Sequence, residues 1–87
     1  MAGNSWREVN YYNDDLDQKA ITRGFKFSNF DEALKFTNKV GLLAEAKGHH
    51  PDMKLGWGYV EIWLTSHDSH GVTDKDWDLA KEIDQIN

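Results

Sequence analysis

The tract from Ser28 to Gly48 constrains this chain more than any other. Ser28 or Asn29 supplies a side-chain oxygen to cap a helix, and an acid three residues later, Asp31 or Glu32, closes a capping box. Gly48 is a left-handed stop. Between these limits Phe30, Ala33, Leu34, Thr37, Val40, Gly41 and Ala44 recur at helical spacing, which predicts a helix to about Lys47 with that stripe as its buried face. Phe36 and Leu43 widen the apolar arc beyond what one sheet face covers, so they are the expected contacts to a second subunit.

The sheet that covers this helix is read from period-two runs. Tyr59 to Thr65 is the clearest: Val60, Ile62 and Leu64 face one way, and Tyr59, Glu61, Trp63 and Thr65 the other. Ala20 to Phe27 places Ile21, Arg23, Phe25 and Phe27 on one face. Trp6 to Tyr12 alternates weakly and is read as its hairpin partner, across the turn residues Asn13-Asp14-Asp15. Met53 to Trp57 makes a short fourth strand. A second helix is expected from Asp74 to about Ile86, with a Thr73/Asp76 capping box and Leu79, Ala80 and Ile83 buried. The order β-β-α-β-β-α predicts an α+β fold over residues 1–87 as a single domain: a four-stranded antiparallel sheet with both helices on one face.

Composition narrows the function classes. A chain of 87 residues buries only about 60–65% of its unfolded surface, yet this one carries 4 Trp, 3 Tyr and 4 Phe. Part of that aromatic area is expected in a subunit interface, which makes a homodimer or homotetramer the expected state. There is no cysteine, hence no disulfide framework and no thiolate metal site. No apolar run approaches the ~18 residues of a membrane span, and the N-terminus lacks the apolar core of a signal peptide. A cytoplasmic location without membrane attachment is therefore expected. The net charge is −5 and the basic residues are scattered, which disfavours direct binding to nucleic acid.

Three of the four histidines gather in two short segments, Glu45 to Pro51 and Ser66 to Asp68. His49 and His50 follow a helix whose carboxyl end favours a cation. Pro51 holds His50 extended, making a stiff corner with two imidazoles. An ordinary imidazole titrates near pH ~6.5, so it can both give and take a proton. The bland reading of either residue is a polar helix cap; for the pair with Pro51 and a later His67, proton-transfer chemistry is the stronger one. His67 and His70 have chelate spacing, but no further ligands at helical spacing complete a metal site. Asp76 also reads as a capping acid, Glu45 as a solvated helix position and Trp57 as core or interface.

Taken together these residues resemble the pterin-4a-carbinolamine dehydratase family, over nearly the whole chain. The pattern is Glu45, three residues, His49-His50-Pro51, five residues, Trp57, nine residues, His67, eight residues, Asp76. Thr22 to Phe27, Phe30, Ala33, Ser66-His67-Asp68, Gly71-Val72-Thr73 and Leu79-Ala80 add to the likeness. Ser66 stands where threonine is usual, and Met53 where an aromatic is frequent. The resemblance implies a hydro-lyase that dehydrates 4a-hydroxytetrahydropterin to quinonoid dihydropterin, recycling tetrahydrobiopterin, with no metal or organic cofactor. It implies His49 and His67 as an acid/base pair and His50 as the residue that orients the pterin. Glu45, Pro51, Trp57, Ser66, Asp68 and Asp76 are implied around the substrate. It also implies dimers or tetramers. The alternative on the same fold is a non-catalytic binding or assembly role, of the transcription-factor dimerisation cofactor or RuBisCO assembly-factor kind.

Overall fold

A computed structural model describes residues 5–11, 18–69 and 71–86. The strands are β1 (Arg7–Asn10), β2 (Lys19–Lys26), β3 (Asp52–Gly56) and β4 (Tyr59–Leu64), and the helices are α1 (Phe30–Lys47) and α2 (Asp74–Asp84). All pairings are antiparallel, in the order β1-β2-β4-β3. Val60, Ile62 and Leu64 of β4 are fully buried, as is Ile21 of β2. They meet Ala33, Phe36 and Val40 of α1 and Leu79, Ala80 and Ile83 of α2 in one core. Both helices therefore lie on one side of the sheet, and the expected α+β architecture holds.

Local chemistry accounts for the element ends. Asn29 is the cap of α1: its Oδ1 accepts from the Glu32 backbone N–H at 2.9 Å, while the Glu32 carboxylate reaches back to the Ser28 N–H. Gly48 ends the helix at φ 66°, and the N–H groups of Gly48 and His49 return to Glu45 O and Ala44 O. That conformation costs an L side chain about 1–2 kcal/mol. Between β3 and β4 the chain reverses through Trp57 and Gly58, the latter at φ 76°. Trp57 is thus part of a turn rather than of the expected strand. The Asn13-Asp14-Asp15 turn, Tyr12 and His70 lie outside the described residues.

The buried face of α1 differs from the one read from periodicity. Phe36, expected at a subunit contact, is core at 5% exposure, packed on Phe25 and Phe27 of the sheet with ring centroids 4.7 and 5.0 Å away. Phe30 and Leu34, expected in the core stripe, are exposed. The helix is rolled toward Phe36 because Phe25 of β2 and Phe27 just beyond it present two aromatic rings there, and tilted ring packing of this kind is favourable. The roll leaves Phe30, Leu34 and Leu42 as an exposed apolar flank.

Two polar clasps lock the helices over the sheet. The Trp6 indole N–H and the Arg23 guanidinium both donate to Asp84 at the end of α2, at 2.9 and 2.6 Å. At the other clasp Lys47 donates to Glu82 at 2.7 Å, joining the last turn of α1 to α2. That hydrogen bond, and then the charge of Glu82, hold the Lys47 ammonium above its ordinary pKa. This second clasp sits two residues before His49.

Candidate active site

The cleft that collects the histidines is built at one end of the sheet from three segments. The α1 stop turn brings Gly48, His49 and His50. The end of β4 and a single 3-10 turn (His67–Ser69) bring Thr65 to Ser69. The first turn of α2 brings Thr73, Asp74 and Lys75. It encloses about 510 Å³, within the range of small-molecule sites. His49, His50, His67, Ser66 and Asp68 all line it.

Asp76 stands behind this wall, fully buried on α2. Its Oδ1 accepts from His49 Nε2 at 2.6 Å. Its Oδ2 accepts from the Ser66 hydroxyl at 2.8 Å and from the Thr73 backbone N–H at 2.9 Å, the latter being the reciprocal half of the capping box. The Ser66 oxygen is also 2.8 Å from the Thr73 hydroxyl. One carboxylate therefore caps α2, ties the end of β4 to it and orients an imidazole. A carboxylate only accepts, so the proton of this bond resides on His49 Nε2, and Nδ1 is the ring nitrogen free for the cleft. At 17% side-chain exposure His49 is held yet accessible. No buried side-chain nitrogen or oxygen among the described residues lacks a hydrogen-bond partner.

His50 is more open: its Nε2 pairs with Glu45 Oε2 one helical turn back, and both side chains are largely exposed. Glu45 does not line the histidine cleft; with Pro51 and Met53 it lines an adjoining groove that shares His50. His67 projects from the 3-10 turn with its ring edge-on to Tyr11, centroids 6.3 Å apart. Thr65, beside it in the wall, accepts from buried Gln18 at 2.7 Å and donates to Lys19 O at 2.6 Å. Tyr11 and Gln18 support the His67 segment across the sheet. Neither is marked in the sequence, because both partners are distant along the chain. Lys75 was likewise missed; it brings a cation to the cleft from an unremarkable helix position.

Trp57 requires a correction. Expected in the cleft wall, it lies at the tip of the β3–β4 hairpin, 72% exposed. The register pairs Asp52 with Trp63 at the cleft end of the sheet and Gly56 with Tyr59 at the other. Six residues at about 3.3 Å each put Trp57 roughly 20 Å from Pro51. Within one chain it does not touch the cleft. Among the described residues no group of three or more His, Cys, Asp or Glu is arranged to hold a metal ion.

The family model described as Pterin 4 alpha carbinolamine dehydratase matches residues 2–86. The chain belongs to this dehydratase family. A curated relative from Alkaliphilus metalliredigens is 42% identical over 80 residues, covering 92% of this chain and 66% of its own length. One from Picosynechococcus sp. is 50% identical over 71 residues, covering 82% of this chain and 76% of its own. Both carry the dehydratase name provisionally. The chain spans about two thirds of several such relatives, and 58% of one from Methylococcus capsulatus. Among solved structures, a transcriptional coactivator/pterin dehydratase from Brucella melitensis superposes with a TM-score of 0.80 at 32% identity, over 93% of this chain and 80% of that one. A pterin dehydratase-like RuBisCO assembly factor of the alpha-carboxysome shares the dehydratase fold, with a TM-score of 0.74 at 23% identity over 94% of this chain and 88% of its own.

Proposed function

We propose that the histidine cleft dehydrates pterin-4a-carbinolamine to quinonoid dihydropterin, in the recycling of tetrahydrobiopterin, without a metal or organic cofactor. The observation that carries this reading is the lining of one cleft by three imidazoles, one of them oriented by a buried carboxylate. In the reaction the C4a–O bond breaks and the oxygen leaves as water after taking a proton. The N5 lone pair forms the C4a=N5 bond, and the N5 proton passes to a base. One proton is delivered and one removed, with no change of redox state. Each assisted transfer is worth about 10²–10⁴-fold.

In this mechanism His49 and His67 divide the acid and base roles, and His50 orients the pterin with Glu45 behind it. Ser66 and Asp76 act through His49, while Asp68 and Pro51 contact the substrate. The reaction belongs to the cytoplasm, a setting that fits a chain without cysteine; among the described residues no helix is long and apolar enough to cross a membrane. A dehydration assay on the purified chain, with the spontaneous rate subtracted, tests the proposal. Turnover no faster than the uncatalysed reaction would refute it. A second reading, a protein-binding role, is favoured by the exposed flank of Phe30, Leu34 and Leu42 on α1. It predicts that a partner is retained by variants lacking His49 and His67.

A further inference from the structure

The three imidazoles of the cleft are fastened in three different ways. His49 is bound through Nε2 to the buried carboxylate of Asp76, and His50 through Nε2 to Glu45. Among the described residues the His67 ring makes no hydrogen bond or ion pair. Its ring contact there is with Tyr11, edge-on at 6.3 Å between centroids and with 64° between the planes.

The backbone beneath His67 is already fixed. Ser66 and Gly71 close a tight loop: the Ser66 N–H donates to Gly71 O at 2.9 Å, and the Gly71 N–H donates to Ser66 O at 3.3 Å. The Ser69 N–H also returns to Ser66 O, at 3.0 Å, and the Ser66 hydroxyl anchors the loop to Asp76. These bonds leave the side chain open. His67 is exposed on the 3-10 turn, and an exposed ring moves among staggered rotamers within nanoseconds unless packing selects one. A group that transfers a proton must stand within hydrogen-bond reach of its target, so the rotamer of His67 bears directly on what the cleft can do.

Tyr11 is placed to select that rotamer. It is 4% exposed, and its backbone N–H donates to Gln18 O at 2.8 Å, one step beyond the last β1–β2 pair of Asn10 with Lys19. Gln18 is buried too and reaches the cleft wall. Its Nε2 donates to Thr65 Oγ1 at 2.7 Å, and that hydroxyl donates to Lys19 O at 2.6 Å. The β2–β4 ladder ends at Ile21 and Leu64, so these side-chain bonds take over where the backbone ladder stops. They set Tyr11 relative to Thr65, two residues before His67. Tyr11 does not line the cleft, so its effect on the chemistry there runs through the imidazole it touches.

We propose that Tyr11, braced by Gln18, is the positioning residue of His67, its ring selecting the rotamer in which the imidazole faces the cleft. The orientation stands independently of the reaction; its effect on turnover rests on the dehydratase reading. Nuclear magnetic resonance tests the orientation. In the parent chain His67 should give one narrow set of ring signals, with cross-relaxation to the Tyr11 ring protons. In Tyr11→Leu those signals should shift as the ring current is lost and average over rotamers, while the signals of His49, held by Asp76, stay in place. Circular dichroism reports that the variant is folded. Parent His67 signals already averaged over rotamers, without cross-relaxation to Tyr11, overturn the proposal before any variant is made. His67 signals that Tyr11→Leu leaves unchanged overturn it as well.

A double-mutant cycle tests the effect on turnover. An edge-on aromatic pair shifts a rotamer population by about 2- to 12-fold. Tyr11→Leu should lower turnover by that factor, in kcat rather than KM, and should make little further difference in the His67→Ala background. Tyr11→Phe, which keeps the ring, should stay near the parent. Equal losses from Tyr11→Leu with and without His67 mark a general structural role, and full turnover of Tyr11→Leu marks none; either overturns the positioning. If the parent chain has no dehydratase activity, the dehydratase reading fails, while the resonance measurements still decide the orientation of His67.

Discussion

Replacing Asp76 with asparagine probes the carboxylate that serves fold and cleft together. The substitution keeps shape and volume but offers one oxygen and one amide NH₂. Thr73 N–H can only donate, so the asparagine oxygen must stay at the Oδ2 position, 2.9 Å from it. The NH₂ then faces His49 Nε2, 2.6 Å away in the parent. Imidazole can meet it only by accepting, which moves the ring proton to Nδ1 and inverts the tautomer shown to the cleft. Three hydrogen bonds to a carboxylate become bonds to a neutral amide. At ~1.5–3 kcal/mol for a charged acceptor against ~0.5–1.5 for a neutral one, the loss over three bonds is about 3–4.5 kcal/mol. In a domain of this size that lowers Tm by about 12–36 °C. Turnover should fall by about 10- to 10³-fold in the folded variant, bounded by the worth of one general acid or base. Thermal unfolding gives the first number, background-subtracted pterin dehydration the second, and ¹⁵N chemical shifts of His49 report the tautomer. An Asp76→Asn variant that keeps full turnover with the proton still on Nε2 would show that this carboxylate does not orient the imidazole.

Other substitutions separate chemistry from scaffold. His49→Ala or His67→Ala should each lower turnover by roughly one to four orders of magnitude, and His50→Ala should weaken pterin binding at least as much as it slows chemistry; steady-state kinetics distinguishes these outcomes. Gly48→Ala forces an L side chain to φ 66° and should cost about 1–2 kcal/mol in denaturant unfolding. Ile62→Ala removes a fully buried side chain and should cost about 2–5 kcal/mol in the same measurement. The raised pKa of Lys47 means its pair with Glu82 contributes fully below the ordinary lysine value of 10.5 and is lost as pH rises through the folded value. Lys47→Met should therefore leave the slope of Tm against pH unchanged between about pH 6 and 9; a slope altered in that window would contradict the assignment.

The linear order of the chain was sufficient for everything that depends on near neighbours. The cap at Asn29, the stop at Gly48, the Thr73/Asp76 box and the alternation of Val60, Ile62 and Leu64 are set by residues within a few positions of one another. Hydrogen-bond geometry and side-chain period act over that range, so element order and antiparallel architecture were legible. The roll of α1 was not. Its apolar arc is wide enough to permit several orientations, and the choice fell to Phe25 and Phe27, which reach Phe36 from another element.

The cleft divides along the same line. The spaced histidines, Glu45 and Asp76 were visible as a pattern of residue types. That Asp76 is buried behind His49, with Ser66 and Thr73 on its other oxygen, depends on where β4 ends against α2. That Gln18 and Tyr11 brace the His67 segment depends on β2 lying between β1 and β4. Trp57 shows the limit most directly. The family resemblance placed it with the histidines, while the hairpin carries it to the far end of the sheet, because a strand extends about 3.3 Å per residue however its side chains are patterned. Sequence thus determined which groups are present and how each local segment turns. Tertiary structure decided which of them meet, since contacts between distant segments depend on the packing of the whole core.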